Sequence, residues 1–387
     1  MSMNQSPPET AREAKAPIYS LMWNMTRKCN FRCRYCYFPH DSGAIGPDEV
    51  LDAERVLAFL DEAGTEWTVG MTGGEPFIYP GFVDICARLT ERHRIGVDTN
   101  LSVSREVKRF AERIDPARVQ DLYVALHIEE RERRNGVESF VENVLLLKER
   151  GFRVIVNSVV HPTLVDRFLS DREFFAARGI EIVPRPFKGT FEDRRYPAAY
   201  GKDAARIFAG YPEAGVKLPL DFRGVPCDGG FSFLRMEPDG TVFRCSGDKT
   251  VYGNVNTGAR RNPGPLPCAK AKCPCRGIDH VHLSPARADF VEGIKRLVVG
   301  EYGAARERFE AVLAAAPEGA DAGEANAAAL NNLGLLDWRE GDRASAVARF
   351  RRARECDPQD EVFRHNADAA GGFGFEPRLS VAVGSCR

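Results

Sequence analysis

The sequence predicts an α/β fold: a partial (β/α)6 barrel, followed by a small cysteine-rich β-hairpin domain and an α-helical repeat domain. Short apolar runs alternate with amphipathic stretches over residues 18–190, five cysteines crowd residues 227–284, and alanine, arginine, glutamate and leucine dominate residues 285–370. The other ranges are predicted to be a disordered N-terminal segment, a loop-rich linker and a disordered tail, at 1–17, 191–226 and 371–387.

Composition excludes several classes of partner. The chain has 387 residues, with 54 lysines and arginines against 55 aspartates and glutamates, so its net charge is −1. This balance gives no bulk attraction to nucleic acid or to an anionic membrane surface. No window is apolar enough to span a bilayer, and the polar N-terminal segment lacks the apolar stretch of a signal peptide. We expect a cytoplasmic protein without a nucleic-acid or membrane partner.

Strands and helices alternate in the first half of the chain. The predicted strands are 18–24, 66–72, 95–99, 122–127, 153–160 and 181–183. The predicted helices are 47–63, 82–93, 104–113, 139–150 and 165–178. This alternation is typical of a parallel sheet, which gathers its chemistry in the loops at the carboxyl ends of its strands. Six such units are too few to close an eight-stranded barrel, so an open one is predicted.

Eleven cysteines are many for a cytoplasmic protein, where metal binding is commoner than disulfide formation. The first group follows the first predicted strand and reads Cys29-Asn-Phe-Arg-Cys33-Arg-Tyr-Cys36. Three thiolates on one short loop hold three corners of a cubane iron–sulfur cluster and leave the fourth iron open. The alternatives are a zinc site, with His40 as the one nearby extra ligand, or cysteines without a metal.

This loop resembles the cysteine motif of the radical S-adenosylmethionine (SAM) enzymes, with Tyr35 in the aromatic place before the third cysteine. A second match is Gly73-Gly74-Glu75-Pro76, which follows the second predicted strand as the family's Gly-Gly-Glu-Pro motif does. The two motifs stand at the ends of neighbouring predicted strands, and the resemblance covers about residues 18–185.

The resemblance implies a SAM-binding [4Fe–4S] cluster on the first three cysteines. One electron from that cluster would cleave SAM, and the 5′-deoxyadenosyl radical would abstract hydrogen from a substrate. The resemblance implies that SAM is bound by Tyr35 at the adenine, by Gly73, Gly74 and Glu75 at the amino group, and that Asn100 contacts SAM or substrate. It also implies a reducing partner such as flavodoxin or ferredoxin.

His127 ends the fourth predicted strand, near the mouth of the predicted barrel. Because imidazole titrates near neutral pH, this residue is a candidate for proton transfer or for orienting substrate. The alternative is a structural histidine held by a hydrogen bond.

The second cysteine group surrounds a predicted hairpin whose turn is Pro238-Asp239-Gly240. Its members are Cys227, Cys245, Cys268, Cys273 and Cys275. The arrangement resembles the twitch domain, the shortened SPASM extension of radical SAM enzymes, which implies an auxiliary [4Fe–4S] cluster. Five cysteines compete for four places on that cluster. A zinc ribbon is the alternative.

A repeat occupies residues 285–370. Gly293, Gly300, Ala305, Phe309 and Pro317 recur 41 residues later as Gly334, Gly341, Ala346, Phe350 and Pro358. Small residues where helices approach, an aromatic wedge and a terminating proline resemble tetratricopeptide helix pairs. Such pairs stack and present a concave surface, so a peptide or protein partner is predicted there, with structural padding or a dimer contact as the alternatives.

Together these features predict a radical SAM oxidoreductase acting on a peptide or a small molecule, with electron transfer to the auxiliary cluster. Oxidation, epimerisation and crosslinking are all within reach of that chemistry. The competing hypothesis is a non-catalytic iron–sulfur or zinc scaffold that recruits a protein partner through its helical repeats.

Overall fold

The structure is a computed structural model that describes residues 18–36, 41, 43–208, 220–271, 273, 280–315, 323–370 and 375–383. The predicted N-terminal segment 1–17 and the candidate ligand Cys275 lie outside the described residues.

Among the described residues, six parallel strands follow one another in chain order across the main sheet. They are β1 (Ser20–Thr26), β2 (Thr68–Gly73), β3 (Arg94–Thr99), β4 (Val119–Ala125), β5 (Val154–Val160) and β6 (Ile182–Pro186). In β1, alternate residues Leu21, Trp23 and Met25 are buried against the helices. The predicted mixed α/β fold with a parallel sheet is therefore confirmed, and it is consistent with a partial barrel.

Helices cover the sheet between these strands. They are α1 (Ala53–Asp61), α2 (Phe82–Thr90), α3 (Ser104–Arg113), α4 (Ile128–Arg133), α5 (Val137–Glu149) and α6 (Val165–Ala176). The prediction for α3 has the same bounds. The observed α1 is shorter than the predicted helix 47–63. The Asp52 carboxylate accepts a hydrogen bond from Glu54 N at 2.9 Å, and this cap starts the helix at Ala53. The sequence prediction lacked α4, which begins directly after His127.

The hairpin differs from the prediction of a separate small domain. Its strands β10 (Phe233–Met236), β11 (Thr241–Phe243), β12 (Val251–Asn254) and β13 (Gly258–Ala259) continue the main sheet beyond β1. β10 runs parallel to β1, with Leu234 opposite Leu21. The physical reason is that β1 would otherwise leave its outer main-chain groups unpaired at the edge of the sheet.

Short elements connect the sheet to the cysteine-rich region. β7 (Gly189–Phe191) pairs with β8 (Arg194–Tyr196), and β9 (Pro226–Cys227) pairs with β14 (Leu266–Pro267). Helix α7 (Lys202–Phe208) lies in the predicted linker. The linker is thus partly regular in the residues that the structure describes.

In the part of the C-terminal region that the structure describes there are five helices: α8 (Pro285–Val298), α9 (Tyr302–Ala314), α10 (Gly323–Glu340), α11 (Arg343–Cys356) and α12 (Glu361–Ala369). The repeated residues make equivalent contacts. A methyl group on Gly293 would lie 2.6 Å from the Phe309 ring, and one on Gly334 would lie 2.7 Å from the Phe350 ring. Glycine at both places lets each helix pair close around a buried aromatic ring.

The prediction of a disordered tail is wrong for residues 375–383. This segment lies against the C-terminal helices, with Ser380 and Val383 buried. The buried Asn331, Asn332 and Asn366 form hydrogen bonds with its main chain. The composition of the tail does not indicate these contacts. Within the described ranges, no helix is long and apolar enough to cross a membrane.

Candidate functional site

A cavity of about 420 Å³ opens at the carboxyl ends of the parallel strands. Its lining includes the candidate residues Cys29, Cys33, Cys36, Gly73, Gly74, Asn100 and His127. It also includes Asp98, Tyr123, Asn157, Arg185 and Arg235, with Met22 and Asn24 from β1. The structure therefore brings both sequence motifs to one cavity, as expected for loops at one edge of a parallel sheet.

The three thiols of the first loop influence one another. Burial raises the pKa of the Cys33 thiol to about 12, and the neighbouring Glu130 and Cys29 add to the rise. Cys36 raises the pKa of both other thiols. Such mutual repulsion between thiolates is relieved by iron, so the donor set fits a cluster ligated at three corners.

The cysteine loop is fastened to two neighbouring elements. Arg32 N donates to the Glu130 carboxylate of α4 at 3.0 Å. Asn100, directly after β3, donates from Nδ2 to Asn30 Oδ1 at 2.9 Å and lies 3.8 Å from Cys29 Sγ. The candidate residue Asn100 thus supports the cysteine loop as well as lining the cavity.

The two glycines of the second motif are required by the close approach of main chains. Gly73 has a φ of +127°, and a methyl group there would overlap the Thr26 carbonyl. A methyl group at Gly74 would overlap the Lys28 carbonyl, next to Cys29. The loop after β2 therefore lies directly on the main chain that begins the cysteine loop.

Glu75 is fully buried and turned into the protein. Its carboxylate accepts hydrogen bonds from Thr99 Oγ1 and Asn100 N, each at 2.6 Å, and from Phe77 N at 3.0 Å. Burial raises the pKa of Glu75, and these hydrogen bonds oppose the rise. The sequence resemblance implied that Glu75 binds SAM, whereas its visible role is to join the loops after β2 and β3.

Tyr35 belongs to an aromatic group at the edge of the cysteine loop. Its hydroxyl lies 3.0 Å from His127 Nδ1, and its ring stacks on His161 with 5.8 Å between centroids. His127 has a φ of +46°, a left-handed conformation that side chains rarely adopt. The candidate His127 thus lines the cavity and has a hydrogen-bond partner in Tyr35, and its role in proton transfer or in structure stays a prediction.

Arg131 is a central residue that sequence reasoning missed. It is 1% exposed, donates to the main-chain carbonyls of Asn100 and Leu126, and lies 3.8 Å over the Phe140 ring. Burial lowers its pKa to about 9, while Glu75 opposes the shift. It ties the end of β3 to the end of β4. In the sequence it stands within a run of charged residues that is typical of a solvated helix face.

The second cysteine group also converges. Burial raises the pKa of the Cys227 thiol to about 11, and the nearby Cys268, Cys245 and Cys273 raise it further. The same neighbours, Cys273 and Cys245, raise the pKa of Cys268. Four of the five candidates are therefore neighbours, and the fifth lies outside the described residues. Four thiols are the usual ligand set of a [4Fe–4S] cluster.

Arg244 holds the segments that carry these cysteines and was not singled out from the sequence. It donates to the Gly229 carbonyl at 3.1 Å and to the Pro267 carbonyl at 2.9 Å, and pairs with Asp248 at 3.3 Å. The segments around Cys227, Cys245 and Cys268 are thus joined through one guanidinium group.

In the ranges that the structure describes, no three histidine, cysteine, aspartate or glutamate side chains are grouped closely enough to hold a single metal ion. A cubane differs from a single ion, since it spreads its thiolate ligands over separate iron atoms.

One residue that lines the cavity lies next to the second cysteine group. Arg235 lines the cavity, pairs with Glu237 at 2.8 Å and lies 3.4 Å from Ser246 Oγ, next to Cys245. Arg185, from β6, adds a second guanidinium group. The cavity is therefore lined by thiols, by two guanidinium groups and by a residue that lies next to the second cysteine group.

The first half of the chain is similar to a known protein family. Residues 23–174 match the model of the radical SAM superfamily. The GTP 3′,8-cyclase of Synechocystis sp. is 28% identical over 269 residues, which are 64% of this chain and 80% of that protein. GTP 3′,8-cyclase 2 of Pseudomonas aeruginosa is 33% identical over 179 residues, 43% of this chain and 53% of that protein. The chain thus spans most of one relative and about half of the other.

Among solved structures, native anSMEcpe with bound AdoMet aligns with a TM-score of 0.46 at 16% identity, over 63% of this chain and 79% of that one. The family match identifies residues 23–174 as a radical SAM domain, and the chain as an enzyme. Proteins with this domain bind a [4Fe–4S] cluster and SAM. The comparisons do not identify the second cysteine group as a twitch domain or the C-terminal helices as tetratricopeptide repeats.

Proposed function

We propose that this enzyme cleaves SAM reductively at the first cysteine group and abstracts hydrogen from a peptide or small-molecule substrate that carries an anionic group. The observation that supports it is that three neighbouring thiols and the guanidinium groups of Arg185 and Arg235 line the same cavity. A guanidinium group binds carboxylate or phosphate well, because its donors match the geometry of those anions.

The residues of this chain would position the reactants. Cys29, Cys33 and Cys36 would hold the cluster, which when bound supplies the electron that cleaves SAM. The main chain at Gly73 and Gly74 borders the cavity and is available to the amino group of SAM. Arg185 and Arg235 would orient the substrate, and the surrounding loops would exclude water from the radical.

We further propose that Cys227, Cys245, Cys268 and Cys273 hold an auxiliary [4Fe–4S] cluster. Its place next to Ser246 and Arg235 favours electron transfer from the substrate after hydrogen abstraction, which gives a two-electron oxidation. A cluster with four cysteine ligands has no open iron, so electron transfer suits it better than ligation of substrate.

The test is anaerobic reconstitution followed by addition of reductant and SAM. We expect 5′-deoxyadenosine from the wild type and none from Cys33→Ala, while Cys86→Ala, a buried cysteine outside both groups, retains the activity. Wild-type protein that contains iron but neither binds nor cleaves SAM would contradict the proposal and favour the scaffold. The reductant, flavodoxin or ferredoxin, stays a prediction.

A purine nucleoside triphosphate is the second candidate substrate. The two relatives named above are GTP 3′,8-cyclases, and Arg185 with Arg235 would suit a triphosphate. The same assay with GTP distinguishes the candidates. Consumption of GTP coupled to formation of 5′-deoxyadenosine supports the nucleotide, and SAM cleavage that GTP does not change supports another anionic substrate.

A further inference from the structure

A carboxylate lines the cavity from the middle strand of the sheet that carries it. The strand order β10-β1-β2-β3-β4-β5-β6 puts β3 three strands from β10 and three strands from β6. Asp98 of β3, Arg235 of β10 and Arg185 of β6 all line the cavity. With about 4.8 Å between neighbouring strands, each arginine is attached about 14 Å along the sheet from Asp98. In sheet order, the cavity thus has one anionic group between two cationic ones.

Asp98 is accessible although its strand is central. Residues of β3 alternate between buried and accessible positions, and Gly96 and Asp98 share the accessible face. Asp98 is exposed, whereas its chain neighbours Val97 and Thr99 are buried. Central strands of parallel sheets are usually apolar throughout, so a charged residue here departs from the pattern. Among the described residues that line the cavity, Asp98 is the only one with a carboxylate.

Two glycines leave open space on the same face, nearer the amino ends of the strands than Asp98. Gly96 of β3 has Gly70 of β2 as its register partner. A methyl group on Gly96 would lie 3.6 Å from the Asp121 carbonyl oxygen, and one on Gly70 would lie 3.8 Å from the Leu21 carbonyl oxygen. Apart from each glycine's own chain neighbours, no other atom of the described residues would lie within 4 Å of either methyl group. Packed interiors fill such positions, so there is room here for part of a bound molecule.

We propose that the substrate carries a cationic amino group, which Asp98 binds, in addition to the anionic group assigned to the two arginines. The open space at Gly70 and Gly96 takes the part of the substrate next to that amino group. Carboxylates bind ammonium groups through charge-assisted hydrogen bonds, which are stronger than neutral ones.

The substrate class is therefore zwitterionic. Amino acids, and peptides with a free amino group, belong to this class, whereas a nucleoside triphosphate has no ammonium group. The inference rests on the proposed function, because it concerns the substrate of the same site.

The test measures binding to the reconstituted full chain with SAM and without reductant, so that SAM is not cleaved. The probes are β-alanine, 4-aminobutanoate, 6-aminohexanoate and 8-aminooctanoate, each compared with the carboxylic acid of the same length that lacks the amino group. Equilibrium dialysis with detection by mass spectrometry gives the dissociation constants. We expect at least one amino acid to bind about tenfold or more tightly than its matched acid.

Three variants locate the binding. Asp98→Asn keeps the size of the side chain but removes its charge, so it should abolish the preference for the amino acid and leave the affinity for the acid unchanged. Arg185→Gln should weaken the binding of both compounds. Gly96→Val fills the open space and should weaken the binding of the amino acid. Gly264→Val, at a loop glycine with equally open surroundings, is its matched control and should bind as the wild type does.

Three results would overturn the proposal. One is a wild type that prefers none of the amino acids over its matched acid. Another is a preference that Asp98→Asn retains, in a protein whose circular dichroism matches the wild type. The third is a loss of SAM affinity in Asp98→Asn by the same factor as the loss of probe affinity, which would assign Asp98 to SAM.

The proposed function is measured separately, through 5′-deoxyadenosine. A wild type that binds the amino acids through Asp98 but cleaves no SAM would contradict the proposed function alone. A wild type that cleaves SAM but shows no preference for the amino acids would contradict this inference alone.

Discussion

Glu75 shows how a motif residue next to a reactive site acts through hydrogen bonds inside the protein. Its carboxylate fixes the loop after β3 by accepting from Thr99 Oγ1 and Asn100 N. Asn100 in turn lies against Cys29 and Asn30. The geometry of the cysteine loop therefore depends on a carboxylate that lies beneath the cavity.

Glu75→Gln replaces one of the two acceptor oxygens by an NH2 group, which donates and cannot accept from Asn100 N or Thr99 Oγ1. We expect the free energy of unfolding to fall by about 1–3 kcal/mol, because a buried donor loses its partner. Formation of 5′-deoxyadenosine should fall with it. Denaturant unfolding and the SAM cleavage assay measure the two effects, with the exposed Glu91→Gln as the control. Unchanged values for both would refute the role given to Glu75.

We expect His161 to make the free energy of unfolding depend on pH. Burial lowers its pKa, and Arg34 adds to this, so the folded protein binds the proton less readily than the unfolded chain. Stability from neutral His161 is present above the unfolded pKa of about 6.5 and is lost as pH falls through the folded value. Denaturant unfolding at about pH 7.5 and pH 5.5 should show a smaller loss in His161→Gln than in the wild type. An equal loss in both proteins would contradict this.

At the scale of elements, the second cysteine loop distinguishes two close ligand candidates. Cys273 lies near Cys227 and Cys268, whereas Cys275 lies outside the described residues. With two [4Fe–4S] clusters, the reconstituted wild type holds about eight iron atoms per chain. We expect Cys273→Ala to retain about half of this iron, and Cys275→Ala to retain nearly all of it. The reverse result would make Cys275 the ligand.

The elements also show where periodicity is informative. Helix α3 was predicted with its observed bounds, since it carries buried residues on one face, Val107 and Phe110 among them. Helix α4 was missed because its six residues are mostly charged and have no apolar stripe. Its Glu130 accepts a hydrogen bond from Arg32 N, and its Arg131 donates to the Asn100 carbonyl. Neither long-range contact can be predicted from the local sequence pattern.

At the scale of the whole molecule, the second cysteine group connects the sheet to the helices. Cys268 and Cys273 pack against the same apolar core as Phe290 and Ile294. Phe222, just before Cys227, is buried in that core as well. Iron bound to these cysteines would therefore stabilise α8.

Loss of the auxiliary cluster should loosen the C-terminal helices. In a chain carrying Cys227→Ala and Cys245→Ala, amide hydrogens of α8 should exchange faster than in the wild type, because local opening becomes easier. Hydrogen exchange with mass spectrometry measures this. Cys29→Ala, which removes a ligand of the other cluster, is the matched control and should leave α8 unchanged. Equal exchange rates in all three proteins would show that the auxiliary cluster does not stabilise α8.

The sequence by itself determined the parallel α/β sheet, the three-cysteine loop and its glycine partner motif, because each depends on local spacing and on residue chemistry. Only the tertiary structure showed that Glu75 faces inward, that Arg131 joins the ends of β3 and β4, and that Arg244 joins the segments of the second cysteine group. It also seated residues 375–383 on buried asparagines. These contacts join residues far apart in the chain, and a buried polar side chain has the same letter as an exposed one.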